Sequence, residues 1–152
     1  MKILPDGALI HAYVGISQRD AALRIAMPSR WWIPEPKKFT AMIDTGCTHC
    51  MIDPTIGKAL SITPIDGSTR SLGDANKEID SPGYAISLGL HLPEAIHTFP
   101  MLQAGSADFR GERFKVIIGR DVLDYCIFLY NGKARQFVLE IPYHPSISVK
   151  TH

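Results

Sequence analysis

An apolar strand that runs directly into Asp44-Thr45-Gly46 constrains this chain more than any other feature. Residues 39–53 read FTAMIDTGCTHCMID, so a carboxylate stands where one apolar run ends and shortly before the next begins. A carboxylate in such a place is a candidate catalytic group, because burial and charged neighbours shift the pKa of an acid toward a chemical task. The tripeptide is short, and its interpretation depends on the rest of the chain.

A second apolar strand, residues 116–118, supplies that context. It ends in Gly119-Arg120-Asp121, and the Val122-Leu123 that follows predicts a short helix. A strand into Asp-Thr-Gly, and later two apolar residues before Gly-Arg-Asp-x-Leu, resembles the signature of the retropepsin-like aspartic proteases. The resemblance covers roughly residues 39–141, is densest at its two ends, and looks like the bacterial branch of that family.

The resemblance implies a role for each residue of the Asp-Thr-Gly motif. Asp44 would be the catalytic aspartate, Thr45 would hydrogen-bond across a dimer axis, and Gly46 would let backbone and substrate approach. Cys47 stands where the family usually has Ala or Ser, and it lacks serine's strong hydroxyl hydrogen bond. The pH optimum is therefore left open.

The family's other functional parts also have counterparts here. A mobile flap that closes over bound peptide is expected at a polar hairpin tip. Its residues would be Leu72, Gly73, Asp74, Ala75 and Asn76. The second signature is expected to support the catalytic loop, with structural roles for Ile118, Gly119, Arg120 and Asp121. Apolar substrate pockets are expected from Ile43, Ile52, Leu72 and Ile118.

Thr48 is a second departure from the family pattern. Many viral members have an acid at this position, four residues after the catalytic Asp, where it pairs with the arginine of the second signature. Arg120 must therefore find another partner, and Asp121, Asp124 or a backbone carbonyl are the possibilities.

One carboxyl group is too few for peptide hydrolysis. One group must accept a proton from water while another polarises the carbonyl, and two carboxyls that share one proton do both in aspartic proteases. The chain contains one Asp-Thr-Gly. The second Asp44 is therefore expected from an identical chain in a two-fold homodimer that acts on peptide or protein substrates. Neither a metal nor an organic cofactor is expected.

The pattern of apolar runs predicts a mainly β, closed barrel-like fold with one or two short helices. All of residues 1–152 are expected to form a single domain. The predicted elements are a hairpin of strands 8–16 and 22–27 around a turn at 17–20, a loop at 29–38 with Trp31 and Trp32, a helix at 54–60 capped by Asp53, a hairpin within 68–90, an irregular segment at 92–111, and a hairpin of 127–130 and 136–141 with a type I′ turn at Asn131-Gly132.

Composition excludes several classes of partner. The net charge is +1 and basic residues are scattered apart from Lys37-Lys38, so nucleic acid is not expected. No apolar run approaches the roughly 20 residues of a membrane span, and the apolar run before Pro5 is too short for a signal peptide. Three cysteines do not all pair within one chain, which favours a reducing cytoplasm.

Three other functions compete with the protease. The same dimeric fold could bind or assemble peptides without catalysis. Cys47 and Cys50 form a C-x-x-C motif that is typical of dithiol oxidoreductases, although Pro54 follows too soon for the long helix that this chemistry needs. A zinc site would require a distant ligand such as Cys126, which is most simply a core residue.

Overall fold

Strands outnumber helices in the computed structural model, which describes residues 2–4, 8–27, 32–65, 70–72 and 78–142. The strands are β1 (Lys2–Leu4), β2 (Leu9–Ile16), β3 (Lys37–Ile43), β4 (Met51–Ile52), β5 (Arg70–Leu72), β6 (Glu78–Asp80), β7 (Tyr84–His91), β8 (Ile96–Ser106), β9 (Val116–Ile118), β10 (Ile127–Asn131) and β11 (Gln136–Glu140). The helices are α1 (Gln18–Ala26), α2 (Pro54–Ala59) and α3 (Arg120–Leu123).

Six of these strands close into a barrel in the order β2-β3-β9-β4-β8-β7. Successive side chains of a strand point to opposite faces, and alternate residues of β2 accordingly enter the core. Those buried β2 residues are Ile10, Ala12, Val14 and Ile16. Ile86, Leu88 and Leu90 do the same on β7 and are fully buried. The predicted mainly β, barrel-like fold is confirmed.

Strand β9 lies between β3 and β4, and this arrangement positions the candidate site. It runs parallel to β3, with Ile43 opposite Ile118, and antiparallel to β4. The chain therefore passes along one side of β9, makes the loop that begins at Asp44, and returns along the other side. Residues from the two ends of the sequence signature are brought together by strand pairing.

Two smaller sheets flank the barrel. Strands β1, β11 and β10 form one, with β11 in the middle, and β5 and β6 form an antiparallel pair. The predicted C-terminal hairpin is therefore present, but its turn is not the two-residue type. Asn131 still pairs with Gln136, and Asn131 Oδ1 accepts a hydrogen bond of 3.1 Å from the Ala134 amide. That bond stabilises a four-residue loop instead.

The predicted strand at residues 22–27 is wrong, because this segment lies in helix α1. Ser17 caps the helix, and its hydroxyl accepts a hydrogen bond of 3.1 Å from the Asp20 amide. The residues that follow are rich in Ala, Leu and Arg, which favour helix. Ser17 to Asp20, interpreted as a turn, is the start of that helix.

The predicted irregular segment at residues 92–111 is also wrong over most of its length, because β8 occupies it. Pro100 lies inside this strand, and it has no backbone N–H to donate to a neighbouring strand. The register with β7 shifts here: Phe99 pairs with Leu88 while Leu102 pairs with Ile86, so β8 carries one extra residue. A bulge thus accommodates the proline.

Other predicted elements agree with the structure. Asp53 caps helix α2, and Pro54 occupies its first turn. Of the loop predicted at 29–38, residues 32–36 form no strand and Trp32 is exposed, but Lys37 and Lys38 belong to β3. None of the helices in the described ranges is long and apolar enough to span a bilayer.

Candidate active site

Asp44 follows the last residue of β3 and is held by β9. Its backbone amide donates a hydrogen bond of 3.0 Å to the Ile118 carbonyl, which continues the β3–β9 pairing by one residue. The residue is half-buried. The strand pair therefore fixes the backbone of Asp44 while its carboxylate remains accessible.

Residues 44–50, the active-site loop, begin with a tight turn around the carboxylate. The Gly46 amide donates to Asp44 Oδ1 at 2.8 Å, and the Cys47 amide donates to the Asp44 carbonyl at 3.2 Å. A Cβ at Gly46 would lie 3.1 Å from Asp44 Oδ1. Glycine thus lets the backbone approach the carboxylate closely. Thr45 and Gly46 are both exposed.

The thiol of Cys47 does not contact the Asp44 carboxylate. It donates to the His49 carbonyl at 3.0 Å instead. Burial raises the pKa of this thiol, and the negative charges of Asp44 and Asp121 act in the same direction. Cys47 is therefore a neutral, half-buried residue that braces the loop.

The second signature lies directly beneath this loop. A Cβ at Gly119 would come within 2.5 Å of the His49 carbonyl carbon and 2.6 Å of its oxygen. The first amides of α3, those of Arg120 and Asp121, donate to the carbonyls of Cys47 and Thr48 at 2.9 Å and 3.1 Å. Amides at a helix start have no partner within the helix, so the active-site loop satisfies them.

Asp121 binds the end of the active-site loop. Its carboxylate oxygens each lie 3.0 Å from the Cys50 amide, and Oδ1 also accepts from the Cys50 thiol at 3.1 Å. Cys50 is fully buried, and burial strongly raises the pKa of its thiol. Neither cysteine of the C-x-x-C motif is in a setting that favours the thiolate needed for dithiol chemistry.

Arg120 contacts the same loop through its side chain. One guanidinium nitrogen lies 3.5 Å from the Thr45 carbonyl, and the other donates to Thr48 Oγ1 at 3.2 Å. The backbone carbonyl was among the expected partners. Thr48 was not among the expected partners. A neutral hydroxyl acceptor has no distinctive sequence signal, because threonine is common at exposed positions.

Asp53 is buried, and its contacts support the fold rather than the candidate active site. Its Oδ1 accepts hydrogen bonds from the amide and the hydroxyl of Thr55 at 2.9 Å and 2.6 Å. Its Oδ2 accepts from the Phe109 amide at 3.1 Å and lies 3.6 Å from the Lys115 ammonium. Asp53 thus joins α2 to the segment before β9.

The candidate flap falls mostly outside the described residues. Leu72 ends β5 and pairs with Glu78. The predicted tip residues Gly73, Asp74, Ala75 and Asn76 lie outside the described ranges. At the base of the hairpin, the Ile65 amide donates to the Gly83 carbonyl at 2.8 Å. Ser106 Oγ donates to the Pro82 carbonyl at 2.7 Å.

The other sequence candidates are placed in the interior. Ile43, Ile52 and Ile118, expected to line substrate pockets, belong to the buried core of the barrel. Cys126 packs against that core, and burial raises the pKa of its thiol to about 11. Within the described ranges, no three His, Cys, Asp or Glu side chains are grouped closely enough to hold a metal ion.

Comparison with known proteins adds an independent observation. A family model described as aspartyl protease matches residues 33–122, more than half of the chain. No curated protein matches the chain. Among solved structures, one similar chain is a retropepsin-like aspartic protease from Rickettsia conorii, with 12% identity, a TM-score of 0.47, and coverage of 90% of this chain and 96% of that one. Another is the retroviral protease-like domain of Ddi1 from Leishmania major, with 10% identity, a TM-score of 0.42, and coverage of 93% and 98%.

Proposed function

The chain belongs to the aspartyl protease family, and on that premise we propose that it is an aspartic endopeptidase whose site contains Asp44 from each of two identical subunits. The observation that carries the proposal is the way Asp44 is held. Its backbone is fixed by Ile118, and its carboxylate is oriented by the Gly46 amide, yet the residue stays half-exposed at a loop. A rigidly positioned, accessible carboxylate suits proton transfer to and from water.

The two Asp44 carboxyls share one proton in the proposed mechanism. The ionised carboxylate takes a proton from a water molecule, and the protonated carboxyl donates a hydrogen bond to the substrate carbonyl oxygen. The water oxygen forms a bond to the carbonyl carbon. As this bond forms, the carbonyl oxygen takes the proton of the second carboxyl. The amide nitrogen then takes the proton that came from water, a hydroxyl on the tetrahedral carbon returns its proton to the second carboxylate as the C=O bond re-forms, and the C–N bond breaks. This chain supplies every proton donor and acceptor through Asp44, and Gly46 and Ile118 position them.

Exposed residues around the site fit a homodimer. Thr45, Gly46, Thr48 and His49 are all exposed in a single subunit. Strand β10, which follows α3, also exposes large apolar side chains: Ile127 is 44%, Leu129 57% and Tyr130 63% exposed. A two-fold interface places each residue opposite its own copy or near it, and so brings two Asp44 side chains together.

The substrate in this proposal is an extended peptide. It would lie between the active-site loop and the β5–β6 hairpin, with Leu72, Gly73, Asp74, Ala75 and Asn76 as the flap. The three free thiols fit a reducing compartment such as the bacterial cytoplasm.

The direct test is cleavage of an unstructured protein between pH 4 and 7. Wild type and Asp44→Asn are compared at equal concentration, because the amide keeps the size of the side chain and loses its proton transfer. Cleavage by wild type alone supports the proposal. Binding without cleavage by both proteins would point to a non-catalytic peptide-binding module. Loss of function on thiol alkylation, with Asp44 intact, would point to cysteine chemistry.

A further inference from the structure

The guanidinium of Arg120 lies at the edge of the site with few contacts. It is exposed, and its two hydrogen bonds, to the Thr45 carbonyl and to Thr48 Oγ1, measure 3.5 Å and 3.2 Å. A guanidinium has five N–H donors in a planar fork. In a single subunit, most of these donors are free of protein partners in the described residues.

The positive charge of Arg120 is not neutralised by a carboxylate in the described part of the chain. The ion pairs found there join Arg110 to Asp108 and Lys115 to Asp53. Asp121, its neighbour on α3, is already engaged by Cys50. Thr48 offers only a neutral hydroxyl.

The position of this charge relates it to the substrate. The guanidinium contacts the carbonyl of Thr45, the residue after Asp44. An extended peptide rises about 3.3 Å per residue, so in the proposed complex a side chain one to three residues from a bond cleaved at Asp44 would pass near Thr45. The guanidinium geometry matches a carboxylate, which it binds through two parallel hydrogen bonds.

We propose that Arg120 is a specificity-determining residue that selects peptides with an acidic side chain within about three residues of the cleaved bond. The inference rests on the proposed function and names its substrate class. It depends on Thr48 offering Arg120 a neutral hydroxyl and no negative charge.

Matched peptides and two substitutions at Thr48 test this selection. Peptide pairs differ only by Glu or Gln at each of the three positions on either side of the cleaved bond. In wild type, kcat/KM for the best Glu peptide is expected to exceed that of its Gln partner about fivefold, the range of a partly exposed ion pair. Thr48→Asp places an acid beside Arg120, and the ratio is expected to fall to about one. Thr48→Asn introduces a side chain of the same size as Asp but without its charge, and this variant is expected to keep the wild-type ratio.

Binding to Asp44→Asn protein separates this inference from the catalytic proposal. Fluorescence anisotropy of the same labelled peptides measures the preference without cleavage. A Glu preference in binding, with no cleavage by wild type, would support the role of Arg120 and reject the protease. Cleavage of both peptides at equal rates would overturn the role of Arg120 and leave the protease standing. An equal ratio is also expected if a partner subunit's carboxylate covers Arg120, and it overturns the proposal in the same way.

Discussion

At the scale of single residues, hydrogen bonds between backbone groups hold the active-site loop. The Asp44 amide binds the Ile118 carbonyl, and the amides of Arg120 and Asp121 bind the carbonyls of Cys47 and Thr48. The Asp121 carboxylate also binds the end of the loop at Cys50, and Gly119 has no Cβ to hold the loop away from α3. The geometry of Asp44 is therefore sensitive to small steric changes beneath the loop.

Gly119→Ala is expected to disrupt that geometry. The new Cβ would lie 2.5 Å from the carbonyl carbon of His49, a backbone atom that cannot rotate away. We expect the free energy of unfolding to fall by about 2–4 kcal/mol and kcat/KM to fall with it. Urea unfolding at 25 °C and peptide cleavage measure the two effects.

The matched control is Gly132→Ala in the β10–β11 loop. Its added Cβ would meet only side-chain atoms of Tyr130, the nearest at 3.5 Å, an ordinary contact. Its stability is expected within about 0.5 kcal/mol of wild type. Equal stability of the two variants would show that Gly119 does not support the active-site loop.

Asp53 makes stability depend on pH. Burial alone would raise its pKa, but hydrogen bonds from Thr55 and Phe109 and the charge of Lys115 outweigh burial and hold the pKa below its ordinary value. As the pH falls, the unfolded chain takes up a proton on Asp53 before the folded chain does. The stabilisation is therefore complete above the unfolded pKa of about 3.9 and is lost as the pH falls through the folded value.

Urea unfolding of Asp53→Asn between pH 7 and pH 3 tests this dependence. The variant is expected to be about 1–3 kcal/mol less stable than wild type at pH 7, with the difference narrowing in acid. Glu112→Gln, a substitution of an exposed acid, is the control and is expected to change stability by less than about 0.5 kcal/mol at either pH. A deficit that stays constant with pH would contradict a role for the Asp53 charge.

At the scale of elements, the sequence predicted what local patterns determine. Alternating apolar residues identified β2, and Asp53-Pro54 identified the start of α2. The prediction of a strand at residues 22–27 was wrong because a short apolar run fits either a strand or a helix. Here the side chain of Ser17 caps a helix. Strand β8 was missed because Pro100 suggested a break, whereas a bulge opposite β7 accommodates it. Likewise, no local pattern showed that Asp121 would bind Cys50, because strand pairing brings them together.

Arg24 links helix α1 to two neighbouring loops. None of its residues is buried, but the Arg24 guanidinium donates to the carbonyls of Trp32 and Ser61, both at 2.7 Å. Arg24→Gln is expected to lower the free energy of unfolding by about 1–2 kcal/mol, or the melting temperature by about 2–8 °C. Arg19→Gln changes an exposed charge of the same helix and is the control, expected to melt within about 2 °C of wild type. If both melted alike, Arg24 would have no anchoring role.

At the scale of the whole molecule, one subunit has half of the proposed catalytic machinery. The three-stranded sheet places β10 at an edge, and its exposed Leu129 fits an interface with a second copy. The sequence predicted the need for a dimer from the single Asp-Thr-Gly. Which surface forms it depends on exposure, which only the folded chain shows.

Leu129→Asp is expected to shift the protein toward single subunits of 16.8 kDa, because burying an unpaired charge at an interface is costly. Cleavage activity per subunit should fall most at low protein concentration, where dissociation is favoured. Sedimentation and a dilution series of the cleavage assay measure the two effects. Met101→Asp, on β8 with Met101 62% exposed, is the control and is expected to keep the wild-type mass. A fully active single subunit would exclude the shared site.

The position of β9 between β3 and β4 also means that the β3–β9 pairing forms only after β9 has been synthesised. The ribosome makes Asp44 well before Ile118, whose carbonyl accepts the hydrogen bond of the Asp44 amide. Such distant pairings form slowly because a long stretch of chain must close first. While the residues between Asp44 and Ile118 are made, a nascent chain thus lacks the strand pairing that fixes the Asp44 backbone, and neighbouring proteins encounter this carboxylate before that pairing forms.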